Sequence, residues 1–375
     1  MVNKKRLIAL TQKLIGIDSQ NPPGNETHIA EFVRAYLAKI GLKARLYEFQ
    51  KGRANVVAVL EGAQRKKSLL VTPHLDTVPA GTSWHYPPLA GTVASGRLYG
   101  LGATDCKGNL ASGIEALHSL IEDRHALPYD VIFAATADEE AGSEAGLIPL
   151  LAKGILKPDA ALVLDADDYS VVVAQKGLIH FRVRIRGKKA HGAYPWRGKN
   201  AIDAALAVIG DLHRHKFSFK KNTYLHPPTL NTGTIKGGDK VNVVADWCVC
   251  ELDLRFLPGQ HPDKILSAIR KVIRRHTRKF TLEIEGIQKP YVIAESHPLV
   301  EHLCKAMREN AVEPRIEGSE GATTISFFQD KRIPATATGF GTEGCAHIAD
   351  EYAKIDHLYK GAMILETFFR RYAFK

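Results

Sequence analysis

Ser68-Leu69-Leu70-Val71-Thr72-Pro73-His74-Leu75-Asp76 is the stretch on which the fold turns. Its centre is apolar on both faces, as in a strand buried between two layers, and it ends in a His and an Asp two residues apart. Residues 131–136 repeat the apolar pattern, and an amphipathic helix over 109–121 lies between the two. Strand, helix, strand in that order builds an open α/β sheet, whose functional groups sit on loops beyond the carboxyl ends of the strands. His74 is on such a loop, Glu139 and Glu140 follow the strand at 131–136, and Asp165 follows one ending at Leu164. Three strands thus aim acids or an imidazole at one edge.

Upstream, residues 5–42 read as a hairpin of two helices interrupted at Asn21-Pro22-Pro23-Gly24-Asn25. A strand is expected at 54–60 and a helix at 144–153. From Gly177 the texture changes to an alternating strand at 179–186, a helix at 200–215, strands at 229–236 and 247–256, a helix at 262–276 and a strand at 280–286. That order is a compact α+β unit of ferredoxin-like type. Helical and α/β texture returns from about His297, so the second unit reads as an insertion into the first.

A chain of 375 residues exceeds the size at which single cores stop growing, which favours two domains. With 45% hydrophobic and 24% charged residues it has the composition of a soluble globular protein. The basic start at Lys4, Lys5 and Arg6 is followed by no complete apolar region, so a signal peptide is not expected, nor is a membrane span. The expected location is the cytoplasm. Cys106, Cys248, Cys250, Cys304 and Cys345 are an odd number scattered through a long chain and are expected as free thiols. The net charge of +11 raises the question of nucleic acid. The only modest cluster, Arg270, Lys271, Arg274, Arg275, Arg278 and Lys279, has the spacing of a solvated helix face and lacks aromatic interleaving, so neither nucleic acid nor a membrane is expected as a partner.

Four further features concern chemistry. The loop Tyr99-Gly100-Leu101-Gly102-Ala103-Thr104-Asp105-Cys106-Lys107-Gly108 has neither phosphate-binding glycine spacing, which leaves Asp105 as a carboxylate able to bridge two cations. In Asp138-Glu139-Glu140 adjacent side chains diverge, so one acid can ligate metal while its neighbour faces water, the division that metal-assisted hydrolysis needs. After Leu164, Asp165 competes with Asp167 and Asp168. Gly341-Thr342-Glu343-Gly344-Cys345-Ala346-His347 adds a second His on a Gly-rich loop. Two His and three acids, without thiolate, suit a hydrolytic zinc pair.

Together these motifs resemble the ArgE/DapE/aminoacylase/carboxypeptidase family of zinc-dependent metallohydrolases. The likeness runs over nearly the whole chain and adds Lys176-Gly177, Ala190-His191-Gly-Ala-Tyr-Pro195, Asn242-Val-Val and Cys345-Ala-His347-Ile-Ala-Asp-Glu351. The resemblance implies an α/β, zinc-peptidase-like catalytic domain with a mixed sheet flanked by helices (residues 1–177 and 290–375), plus an inserted α+β ferredoxin-like dimerisation or lid domain (178–289). It implies two Zn2+, with Co2+ or Mn2+ as substitutes: His74 and Asp165 on one, Glu140 and His347 on the other, and Asp105 between them. Spacing from Lys176 within the family selects Asp165. Glu139 would be the general base and Asp76 would orient His74. His191, lent to the partner subunit of a homodimer, would stabilise the oxyanion, and Arg255 and Asn242 would bind substrate.

The implied reaction is cleavage of an N-acyl amino acid, or of a short peptide, by a metal-bridging hydroxide, as in deacetylases and desuccinylases. A metallo-dipeptidase or carboxypeptidase of the same fold is the alternative, and a catalytically silent metal-binding protein belongs to another class. Two departures bear on substrate. Thr324-Ile325-Ser326-Phe327 stands where many members carry Thr-Asp-Ala-Arg, and Cys106 stands where Met is common.

Overall fold

The computed structural model of the chain describes residues 1–374 and divides into two compact units. Unit 1 takes in Met1–Val173, Ile293–Glu317 and the chain from Thr323 onward; unit 2 takes in Ala174–Val292 and Gly318–Ala322.

The sheet of unit 1 has four parallel strands at its centre. Asp130–Ala135, Ser68–Thr72, Ala160–Leu164 and Ala335–Thr338 lie side by side in that order. Lys43–Glu48 and Ala54–Leu60 extend it antiparallel on one side, and Ser170–Gln175 does so on the other, making it mixed. The central strands are buried almost throughout, as their runs of Leu, Val and Ala require. Their carboxyl ends all open on the same edge. Gly339 marks how closely that edge is packed: a Cβ there would lie 1.4 Å from the carbonyl oxygen of Ala166, so any side chain would push apart the backbones next to Asp165.

Helix Lys107–Glu122, buried over most of its length, packs against Lys4–Ile15 and Ile355–Arg371. Thr27–Lys39 packs on the antiparallel strands Lys43–Glu48 and Ala54–Leu60. The two N-terminal helices therefore dock mainly on separate partners, where the sequence suggested a hairpin. Among the described residues no helix is long and apolar enough to cross a membrane.

Unit 2 runs β-α-β-β-α-β: strand Gly177–Arg186, helix Ala201–Arg214, strands Thr229–Gly237 and Trp247–Phe256, helix Pro262–His276 and strand Phe280–Gln288. The four strands are antiparallel throughout, and Gly177–Arg186 sits between Trp247–Phe256 and Phe280–Gln288, which is the ferredoxin-like order. Alternation sorts the faces. Ile179, Phe181, Val183 and Ile185 enter the core with Cys248, Cys250 and the apolar sides of both helices, whereas Arg182 and Arg184 face outward and pair with Glu251 and Glu283. All five cysteines are buried free thiols.

Phe181, with no exposed surface in the unit 2 core, is expected to cost about 3–5 kcal/mol when cut to Ala. Amide hydrogen exchange should then quicken across the four strands of unit 2 while the unit 1 sheet stays protected; unchanged exchange in unit 2 would show that the ring is no core anchor.

Candidate metal centre

Each of the four parallel strands of unit 1 delivers something to the shared edge. Ser68–Thr72 runs through Pro73 into His74, which is 2% exposed in its side chain and pairs with Thr136 at the end of the neighbouring strand. Past Asp130–Ala135 the chain makes a single helical turn, Glu139–Ala141, entered through Asp138 in the left-handed region (φ 65°). Ala160–Leu164 is followed directly by Asp165, and beyond Ala335–Thr338 the loop carries His347 (φ 62°). The fifth group, Asp105, comes from the turn before helix Lys107–Glu122.

Asp105 lies between the two imidazoles. Its Oδ1 is 2.9 Å from His74 Nε2, and its Oδ2 is 3.1 Å from His347 Nε2. Glu140 Oε1 is 3.2 Å from His347 Nε2, and Asp165 Oδ1 is 3.8 Å from His74 Nε2. Three donor groups result, His74 with Glu139 and Asp165, Asp105 with Glu140 and His347, and His74 with Asp105 and Cys106; within each, one donor atom per residue lies within 4.8 Å of the others, and the first two consist of nitrogen and oxygen donors alone. Of the three competing acids only Asp165 joins them. Asp168 turns away to His357 (3.0 Å), and Asp167 lies against Gly341.

Packing so many acids together leaves its mark on their protonation. Burial, then Asp165, lifts Glu139 well above the ordinary carboxylate range. Burial and Asp105 push Asp165 up to about 7, and burial with Asp105 and Asp165 does the same to Asp167. Burial also works against a charge on Asp105, but the hydrogen bonds of His347 and His74 hold it low. His347 in turn is pushed up to about 10 by Asp105 and Glu140. A pocket whose carboxylates destabilise one another's charge is one that cations would relieve. The nitrogen and oxygen donor set fits divalent metal in kind as well.

The surrounding bonds hold main chain more than side chain. His74 Nδ1 is nearer the backbone oxygen of Asp76 (3.0 Å) than its carboxylate (3.5 Å). That carboxylate instead accepts from the N–H groups of Glu139 and Glu140, both at 3.1 Å, and from Asn21 Nδ2 at 2.9 Å. Asp76 thus grips the turn that presents the acidic doublet. The Cys106 thiol occupies the space under His74, accepting from its N–H (3.1 Å) and facing its carbonyl (3.4 Å), and burial pushes the thiol up to about 12. Its two contacts with the His74 backbone make it a packing group beneath that residue.

Several supporting residues were given no role by the sequence. Buried Arg53 bonds Glu26 with two nitrogens (2.5 and 2.7 Å) and Asp138 at 2.8 Å, which fixes the left-handed entry to the Glu139 turn. Breaking such a buried ion network costs about 3–5 kcal/mol. Lys107, fully buried, donates to the Ile17 carbonyl at 2.8 Å and ties the Asp105 turn to the N-terminal segment. Ile325 is buried at the start of a short helix, so the position that departs from the family pattern serves the core.

The remaining expected residues belong to unit 2. His191 is exposed and bridges to Val243; Gly192 N–H donates to the Asn242 carbonyl at 2.8 Å, so segments fifty positions apart are adjacent. Arg255 is not free: its Nε and Nη2 bond both oxygens of Asp253 at 2.8 and 2.9 Å. Its Nη1 is left unused by that pair.

Comparison with known proteins bears on this centre. Residues 70–371 match the pattern of peptidase family M20/M25/M40. The chain is 28% identical over 376 residues to the acetylornithine deacetylase of Vibrio atlanticus, covering 97% of this chain and 96% of that one. Its fold is that of the aminopeptidase PepT of Bacillus cereus (TM-score 0.83, 21% identity, 98% of both chains) and of a dinuclear metal-binding peptidase of the M20 family from Bacillus subtilis (TM-score 0.75, 17% identity, 98% and 97%). Sheet, donor cluster and sequence match agree: the chain belongs to peptidase family M20/M25/M40 and is a metal-dependent hydrolase of amide bonds.

Proposed function

We propose that the protein removes the acyl group from an N-acyl amino acid at a centre holding two zinc ions. The observation that carries this reading is Asp105, whose two oxygens reach one imidazole each. In it His74 and Asp165 would hold one ion and Glu140 and His347 the other, with Asp105 available to both. Zinc bound there would polarise the scissile carbonyl and acidify the attacking water.

The chain's own groups carry the proton. Glu139, next to Glu140 on the turn gripped by Asp76, takes a proton from water and passes it to the departing amine nitrogen. Acid and base are then one carboxyl group. Glu139 also lies within donor reach of His74 and Asp165, so its proton transfer would take place at the metal centre itself.

Unit 2, with 178–289 as its inserted domain, is proposed to bring a second copy of the chain into play. Trp196 and Val241, 74% and 102% exposed, flank the His191 and Asn242 segments, and an apolar surface of that kind is what a second copy would cover. His191 would then hold the oxyanion in its partner's site, Asn242 would contact substrate, and Arg255 would offer its Nη1 edge to the substrate carboxylate while Asp253 keeps the guanidinium aimed. The likeness to an acetylornithine deacetylase over almost the full chain supports a deacylase, and the proposed location is the cytoplasm. The structure neighbours share the fold at too low an identity to favour a peptidase over it.

Glu139→Gln is expected to lower turnover of N-acetyl amino acids at least about 10²-fold with metal content unchanged; near wild-type turnover would refute the base. Chelation should abolish activity, and Zn2+, Co2+ or Mn2+ should restore it at two equivalents per chain. His191→Ala should cost about 10²–10³ in kcat. Mixing the His191→Ala and Glu139→Gln proteins should recover activity that neither has alone, because one site of the mixed dimer is intact; no recovery would place His191 outside the partner's site.

A further inference from the structure

Glu351 is buried to 1% exposure, and its carboxylate spends all its bonds on another loop's backbone. Oε2 accepts from Gly102 N–H at 2.9 Å; Oε1 accepts from Thr104 at 2.8 Å and from Asp105 itself at 3.0 Å. More bonds run alongside. The Gly100 N–H donates to the Glu351 carbonyl (2.9 Å), Thr104 Oγ1 donates to the Tyr352 carbonyl (2.8 Å) and accepts from Thr342 N–H (3.0 Å). One seam therefore joins the Asp105 loop to the loop that carries His347, four residues before Glu351.

The two nitrogen and oxygen donor groups depend on that seam unequally. His74 and Asp165 leave the ends of adjacent buried strands, Ser68–Thr72 and Ala160–Leu164, and Glu139 is on the turn held by Asp76. In the second group one member stands differently. His347 lies in a turn, away from any strand end, with its side chain 52% exposed and its ring against Asp105 and Glu140. Its distance from Asp105 Oδ2 is set by how the two loops are docked.

We propose that Glu351 is a positioning residue that assembles the second metal position. By gripping the Gly102 to Asp105 backbone from the His347 loop it holds Asp105 Oδ2 and His347 Nε2 at the spacing one ion needs. The position at His74 and Asp165 shares Asp105 but leans on Glu351 less, because His74 and Asp165 are held by adjacent buried strands. This rests on the two-metal reading above, and it predicts an ordered centre in which occupancy of the second position responds to a residue that touches no ion. Partners of ligands that act this way are worth about 10–100-fold in metal affinity.

The test is a calorimetric titration of metal-free protein with Zn2+, paired with Co2+ absorption spectra, on wild type, Glu351→Ala, Glu351→Gln and Thr104→Val. Wild type should take up two equivalents; uptake of one would sink the two-metal reading itself and is thus distinguishable. Given two, Glu351→Ala should lose about 10–100-fold at the second equivalent and clearly less at the first, which shares Asp105 but keeps His74 and Asp165 on their strands. Glu351→Gln, which retains an acceptor oxygen, should fall between, and Thr104→Val should weaken the same equivalent with no change of charge. Wild-type affinity at both equivalents in the variants, or equal loss at both, overturns the proposal. Should Glu351→Ala fail to fold, as circular dichroism would show, the two milder variants decide by the same criterion.

Discussion

Four carboxyl groups, Asp105, Glu139, Glu140 and Asp165, converge with two imidazoles on one edge of a sheet, and their mutual repulsion, felt also by Asp167 beside them, is the constraint that the rest of unit 1 answers. Left to itself such a cluster would take up protons or spread apart. The pocket resists spreading because His74 and Asp165 leave the ends of close-packed strands and the Glu139 and Asp105 turns are pinned by buried carboxylates, so the repulsion is resolved chemically, by cations. Affinity for metal is thus a consequence of packing the acids where the backbone cannot yield.

Rigidity comes from a second set of buried carboxylates that do no chemistry. Asp76 and Glu351 each accept backbone N–H groups, from the Glu139 turn and from the Asp105 turn. Backbone amides stabilise a buried carboxylate without neutralising it by proton transfer, and in return the carboxylate fixes a loop that has no regular structure to fix it. Arg53 adds a cation where three acidic or amide groups, Glu26, Asp138 and Asn21, meet beneath the doublet. The donor residues are held at their Cα positions, and the side chains then have few directions to take.

Much of this was legible in the sequence. The strands with continuous apolar runs, Ser68–Thr72 and Ala160–Leu164, announce themselves because both faces are buried, and the alternating strands of unit 2 do so because only one is. Less legible were Lys43–Glu48, a mixed run at the sheet's edge, and Ala335–Thr338, whose Ala-Thr-Ala-Thr has no strong pattern and is a strand because it is placed between two others. The N-terminal helices were legible as helices but not in their packing, since which partner a face meets depends on the rest of the chain.

The sequence by itself determined the donor types, their order along the chain and the class of sheet, because each follows from local pattern: burial writes apolar runs, and loops after strands carry function. Family spacing picks Asp165 over Asp167 and Asp168, but the residues' own pattern leaves the three open, and tertiary structure turns Asp165 toward His74. Tertiary structure alone decided that Asp76 holds a turn more closely than it holds a ring, that Arg255 is already engaged by Asp253, and that Glu351 joins two loops. The reason is physical. Neighbouring acids in one loop differ only in the direction of their side chains, and bonds spanning 63 to 249 positions exist only once the strands between them have closed the distance.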